Sequence, residues 1–300
     1  MGFWRFGRGN RETGLEIGGV HLGERPWLVL GGGGLKGLAH LGVWRALQER
    51  GFVPEGILGT SIGALVGANI AAGRPLKEME VEARSLERGD IARLQRRALW
   101  LNGIRASSLY HGEPLRDYLA KVLPRGGWKS LVTRFQTNAV ELGTGRMEWF
   151  GIGARTDVSL LDAVYASTAL PVFYPPVRLV GGVYLDGGVA DALPITRAAE
   201  LGATGIVAVD VGAGERVDSE KVVGGGMIAV HERVFSLMAG RRRREGVAGW
   251  EGPPLLYIRP KLDGYGGFDF ERVGEFLELG RVAGLEAVGE AGRESPAGAS

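Results

Sequence analysis

Three short stretches of this 300-residue chain combine residue types that suit nucleophilic chemistry. The first is Gly59-Thr60-Ser61-Ile62-Gly63, a G-x-S-x-G pattern. A strand-like run, "GILG", ends on its first glycine, and Ile62, Leu65, Val66 and Ile70 follow at helical spacing. A serine on a sharp strand-to-helix turn lifts its hydroxyl into a cleft, and the small flanking residues permit that turn. The same position also suits a plain helix N-cap.

The second stretch is the glycine run Gly31–Gly34, between the apolar run Trp27-Leu28-Val29-Leu30 and a helical pattern. Gly32, Gly34 and Gly37 match G-x-G-x-x-G, the signature of a nucleotide-binding module, with Glu55 near the distance at which a ribose-binding acid belongs. No Gly-Lys-Ser/Thr follows, so it is not a P-loop. A second reading is a tight turn without a ligand. A third is an oxyanion hole, in which backbone N–H groups freed of side chains converge on a developing negative charge. In a doubly wound sheet the turns after neighbouring strands share an edge, which would bring this loop beside Ser61.

A serine hydroxyl needs a base. The chain has four histidines, His21, His40, His111 and His231. Only His231, with Asp210 as its acid, keeps the Ser–acid–His order of a triad, which would make the chain a Ser–His hydrolase or acyltransferase. Yet His231 sits in the helical "MIAVHERVFSLMAG", and His40 also falls on a helix. The third stretch offers another base: Asp186 ends the strand-like Val183-Tyr184-Leu185, and Gly187 and Gly188 follow. Buried against a serine in an apolar cleft, such a carboxyl would have a raised pKa and could take the proton. In isolation it would simply make a turn.

These stretches need a scaffold. From Trp27 onward, strand-like runs alternate with helical patterns, which argues for a three-layer α/β/α fold with a mostly parallel central sheet. Residues 75–122 are helical, charged and strand-free, like a helical cap inserted in a catalytic domain spanning 26–290. Residues 1–25 read as a flexible N-terminal arm, and 291–300 as a disordered tail. The formal net charge is +2, which gives no ground for a nucleic-acid partner. The chain has no cysteine, excluding disulfides and thiolate chemistry. No stretch approaches the roughly 18 apolar residues of a membrane span, and a cytoplasmic location is expected. Two patches, "RLQRRALWLNGIR" (93–105) and "AGRRRREG" (239–246), mix arginines with apolar neighbours and suit peripheral contact with an anionic membrane surface.

Taken in order, "GGGGLKGLAHLGV", "GTSIGA" and "DGG" resemble the oxyanion segment, nucleophile elbow and catalytic aspartate of the patatin-like phospholipase family. "DAVYASTALPVFYPPV" and "GGVADALPITRAAELGATGIVAVDV" extend the resemblance, which runs from about Trp27 to Val288. Ala192 and Glu141 depart from the family's usual residues. The resemblance implies a serine lipid acyl hydrolase with a Ser–Asp dyad, Ser61 as nucleophile and Asp186 as base. It implies an oxyanion hole from Gly32, Gly33 and Gly34, with Lys36, Gly37, Gly59, Gly63, Gly187 and Gly188 as supporting motif residues. The partner would be a lipid or acyl-ester substrate, and the reaction would need neither metal nor cofactor. Leu94, Leu99, Trp100 and Leu101 of the cap are expected to admit the acyl chain.

Overall fold

A computed structural model describes residues 14–97, 100, 105–212 and 217–289. The first described element lies inside the stretch expected to be a flexible arm. β1 (Leu15–Ile17) and β2 (Val20–Gly23) form an antiparallel hairpin that buries Ile17 and Leu22. Gly18 and Gly19 turn it with φ of 59° and 69°, the paired positive φ values that a two-residue hairpin turn demands. Order therefore begins before Trp27. The apolar pair on either side of Gly-Gly is a hairpin signal that the Gly- and Arg-rich composition of residues 1–25 masks. Residues 1–13 of the expected arm and 291–300 of the expected tail lie outside the described residues.

The main sheet has eight strands. Along it run β10 (Leu255–Ile258), β9 (Gly205–Val209), β3 (Pro26–Leu30), β4 (Gly56–Gly59), β5 (Arg134–Glu141), β8 (Gly182–Asp186) and β7 (Val177–Leu179), and β6 (Met147–Gly151) pairs with β5 off that path. The five strands from β10 to β5 are parallel, and the pairings to β6, β7 and β8 are antiparallel. Parallel strands need cover on both faces. Leu28 and Leu30 of β3 pack into the larger core, while Trp27 and Val29 pack on the other face with Leu193, Ile195 and Ala198. The expected three-layer arrangement follows from that alternation.

The larger core is covered by α1 (Ala39–Glu49), α2 (Ile62–Ala71), α3 (Leu76–Arg84), α4 (Arg88–Ile91), α5 (Gly112–Val122) and α6 (Leu160–Thr168). α7 (Ile195–Glu200) lies on the opposite face. Two further helices, α8 (Ser219–Gly224) and α9 (Gly226–Ala248), are mostly exposed, and α10 (Val273–Gly289) is the last described element. Within 75–122 lie α3, α4 and α5, with an isolated bridge joining Leu94 to Tyr110 between α4 and α5. α1 and α10 pack backbone to backbone. A Cβ on Gly42 would overlap the Leu277 carbonyl, and one on Gly280 would overlap that of Ala39.

Strand register sets the level of each chemical group. Leu30 pairs with both Gly59 and Val209, and Gly59 pairs with Thr137. Ala139, two residues further along β5, pairs with Asp186. The glycine loop after Leu30, the serine after Gly59 and the aspartate ending β8 are therefore brought to one edge of the sheet. It is the edge where β3 has a later strand on each side, the usual crevice of an open α/β sheet.

Candidate active site

Ser61 stands at the junction of β4 and α2 with φ 56° and ψ −124°. A non-glycine residue in this region is strained by about 1–3 kcal/mol and stays there only when its surroundings hold it. The surroundings are specific. The Ser61 N–H donates to Ser167 Oγ at 2.9 Å, and Thr60 N–H donates to the Leu30 carbonyl at 3.0 Å. Thr60 Oγ1 donates to Asn138 Oδ1 at 2.9 Å. Gly59 and Gly63 pack so tightly that a Cβ on either would overlap backbone atoms, of Gly63 and Leu30 respectively. The Ser61 side chain makes no cap hydrogen bond to α2, so its hydroxyl is not held as an N-cap.

Asp186 is 2% exposed. Burial pushes its pKa up to about 7, although the Gly188 N–H, at 2.7 Å from Oδ1, and the Ser61 hydroxyl both hydrogen-bond the carboxyl and pull the other way. Desolvation thus outweighs both donors. Gly187 cannot carry a side chain because its Cβ would overlap the Asn138 amide. Ser61 and Asp186 line one cavity of about 460 Å³.

The glycine loop borders the same cavity. A Cβ on Gly32 would stand 3.3 Å from the Ser61 Cβ. The Gly32 N–H, however, donates to the Ala192 carbonyl at 2.9 Å, and Gly31 N–H donates to Val209 at 3.0 Å. With its N–H occupied, Gly32 is not a donor to a ligand in this arrangement. The hydrogen bonds of the described residues leave the N–H groups of Gly33 and Gly34 without an acceptor. Gly34 has φ 64°, and a Cβ there would come within 2.6 Å of the Gly267 carbonyl. His40, wholly buried on α1, supports the loop: its Nε2 lies 2.8 Å from the Gly31 carbonyl. A carbonyl only accepts, so Nε2 carries the proton. Burial lowers the His40 pKa to about 4, and the ring stays neutral.

The supporting residues fall around this centre. Gly37 is pressed against Ile62, where a Cβ would collide with its side chain. Lys36 lines the cavity at 3% exposure; burial lowers its pKa, and Glu232 partly offsets this. The apolar wall comes from Leu38, Leu65, Leu86, Ile91, Leu115 and Leu119. Leu94 and Trp100 are not part of it, being 48% and 84% exposed, and Leu99 and Leu101 lie outside the described residues. Among the described residues the cap contributes Leu86, Ile91, Leu115 and Leu119 to this wall.

The alternatives are not assembled. Asp210 is held by Arg243, whose Nε is 3.0 Å away, and it accepts from Tyr257 and the Gly212 N–H. His231, on α9, does not line the cavity. Glu55 precedes β4 at its N-terminal end, with its N–H on the Pro26 carbonyl and its carboxylate near Arg134. It is at the wrong edge for a nucleotide in the glycine loop. Sequence reasoning missed Ser167 and Asn138, which hold the turn, and the Ala192 carbonyl, which occupies Gly32. Ser167 lies within the "DAVYASTALP" stretch of the family resemblance, the one signal that pointed there.

The model of the family described as patatin-like phospholipase matches residues 28–199. A lysophospholipase NTE1 of Coccidioides immitis is 30% identical over 285 residues, covering 88% of this chain and 18% of that protein. An uncharacterized NTE family protein of Mycobacterium bovis is 35% identical over 191 residues, 64% of this chain and 50% of that one. The chain thus spans half or less of the length of these relatives. Among solved structures, VipD from Legionella pneumophila matches with a TM-score of 0.52 at 18% identity, over 88% of this chain and 66% of that one, a likeness of fold.

Proposed function

We infer the activity from family and site together: the chain belongs to the patatin-like phospholipase family, and we propose that it is a serine hydrolase of lipid acyl esters. Asp186 takes the Ser61 proton as Oγ attacks the acyl carbonyl. The carbonyl oxygen becomes an oxyanion held by the Gly33 and Gly34 N–H groups, donors worth about 2.7–4 kcal/mol each in comparable sites. Protonated Asp186 then gives its proton to the departing alcohol. Water, deprotonated by Asp186, attacks the acyl-enzyme and frees the fatty acid and Ser61. No step calls for a metal or redox cofactor.

One observation carries this reading: a serine in a strained turn shares a cavity with a buried carboxyl whose pKa lies near 7. A base works best when its pKa is close to the working pH. The leucine-lined part of the cavity suits an acyl chain, and Lys36, Lys221 and Arg233 suit a polar or anionic head group. A fluorophosphonate probe tests the proposal. It should label Ser61 in the wild type and fail on the Asp186→Asn variant. A label on any other residue of an active preparation refutes the assignment.

A further inference from the structure

α9 has two opposed faces. At 100° per residue, Ala229, Glu232, Arg233, Ser236, Ala239 and Arg243 fall on one side, and all of them line the cavity that holds Ser61. The opposite side carries Met227, Val230, Val234, Leu237 and Met238 within an arc of about 100°. These five are 80%, 42%, 48%, 46% and 68% exposed. The stripe runs for about 17 Å along the helix, and Val223 of α8, 65% exposed, lies just ahead of it in the chain. Arg243 roots the helix through its buried pair with Asp210, while Arg241, paired with Glu245 at 2.7 Å, and Arg242 stand exposed at the stripe's end.

We propose that this stripe is a membrane-docking face, and that α9 lies in the plane of an anionic bilayer with its cavity face turned to the active site. The proposal rests on the lipid-hydrolase reading, because that substrate resides in a bilayer. Aliphatic side chains followed by arginines match the acyl boundary and the anionic head groups of such a surface. Among the described residues no helix is long and apolar enough to cross a membrane, so docking along a helix face is the mode available to α9. A helix that is both docking face and cavity wall would set the cavity beside the lipid it must take up.

The test uses the full chain with Ser61→Ala, so that turnover does not alter the vesicles. Sedimentation with vesicles of phosphatidylcholine plus about one-third phosphatidylglycerol should show binding that falls at least about tenfold with phosphatidylcholine alone. Combining Met227→Glu, Val234→Glu and Met238→Glu should lower binding to the anionic vesicles by about tenfold or more. In the Ser61 background the same triple variant should hydrolyse a water-soluble short-chain ester at the wild-type rate. Because the chain lacks cysteine, Met227→Cys, Val234→Cys and Met238→Cys can each carry an environment-sensitive dye, a readout that needs no triple variant. All three should shift to the blue on anionic vesicles, and a dye at Val53→Cys should not. Unchanged vesicle binding by the triple variant, or no binding by the parent, overturns the proposal. So does a wild-type dimer that the triple variant converts to monomer. Loss of ester hydrolysis on Ser61→Ala is scored separately and speaks to the catalytic reading alone.

Discussion

Asp186→Asn should destroy turnover and stabilise the protein, and the two effects share one cause. The wild-type carboxyl is lifted from 3.8 to about 7, which corresponds to about 4 kcal/mol of preference for the protonated form in the folded state. Between those values the folded protein holds a proton that the unfolded chain releases. The stabilisation is therefore fully present below 3.8, declines as pH rises, and is gone above about 7. About 2.5 kcal/mol of it is lost between about pH 5 and about pH 8. Asparagine keeps the shape and an acceptor for the Gly188 N–H but never ionises. The variant should thus gain on the wild type as pH rises, with its relative melting temperature climbing by roughly 5–10 °C over that interval. Hydrolysis of a soluble ester should fall by about 10²–10⁴-fold, the usual worth of a general base. Thermal unfolding across the pH series, alongside the ester assay, reads both. A stability difference that stays constant with pH refutes the burial argument, and retained hydrolysis refutes the role of Asp186 as base.

The remaining perturbations probe the parts around that carboxyl. Ser61→Gly should be more stable than Ser61→Ala by about 1–2 kcal/mol, since glycine relieves the positive φ and alanine does not; equal denaturation midpoints would mean that the turn is unstrained. Gly34→Ala places a methyl against the Gly267 carbonyl at a φ of 64°, and should lower kcat by about 10²–10³-fold through the displaced donor, measured on a soluble ester. His40→Ala strands the Gly31 carbonyl and should cost about 2–3 kcal/mol in chemical denaturation. His40 has its pKa lowered from 6.5 to about 4, so the wild type loses stability as pH falls through that window; the variant should lose less there.

Much of the site was legible because short motifs report backbone demands. Gly59 and Gly63 mark a turn with no room for side chains, and Gly187 marks contact with Asn138; each glycine is a steric statement written in one letter. The edge at which the loops meet followed from alternation of strand and helix. What stayed hidden depends on three-dimensional pairing. Nothing in "GGGG" distinguishes the Gly32 N–H, taken by Ala192, from those of Gly33 and Gly34, because the acceptor lies 160 residues away. The hairpin at 15–23 was masked by the composition around it. The cavity-lining Leu115 and Leu119, whose spacing marks the buried side of α5, went unremarked because the arginine-flanked Leu94 and Trp100, both exposed, drew attention from them.

The close seating of α1 on α10 bears on how such a protein can be divided. The family match ends at residue 199, yet the loop that begins α1 is anchored by the carbonyls of Val209 and Gly267, and α1 itself rests on the backbone of α10. A fragment cut after residue 199 would retain Ser61 and Asp186 while discarding the abutment against which the glycine loop beside them is braced. Recombination of this chain with a relative must accordingly transfer the segment from Val209 through α10 together with the first helix, as a single inherited block.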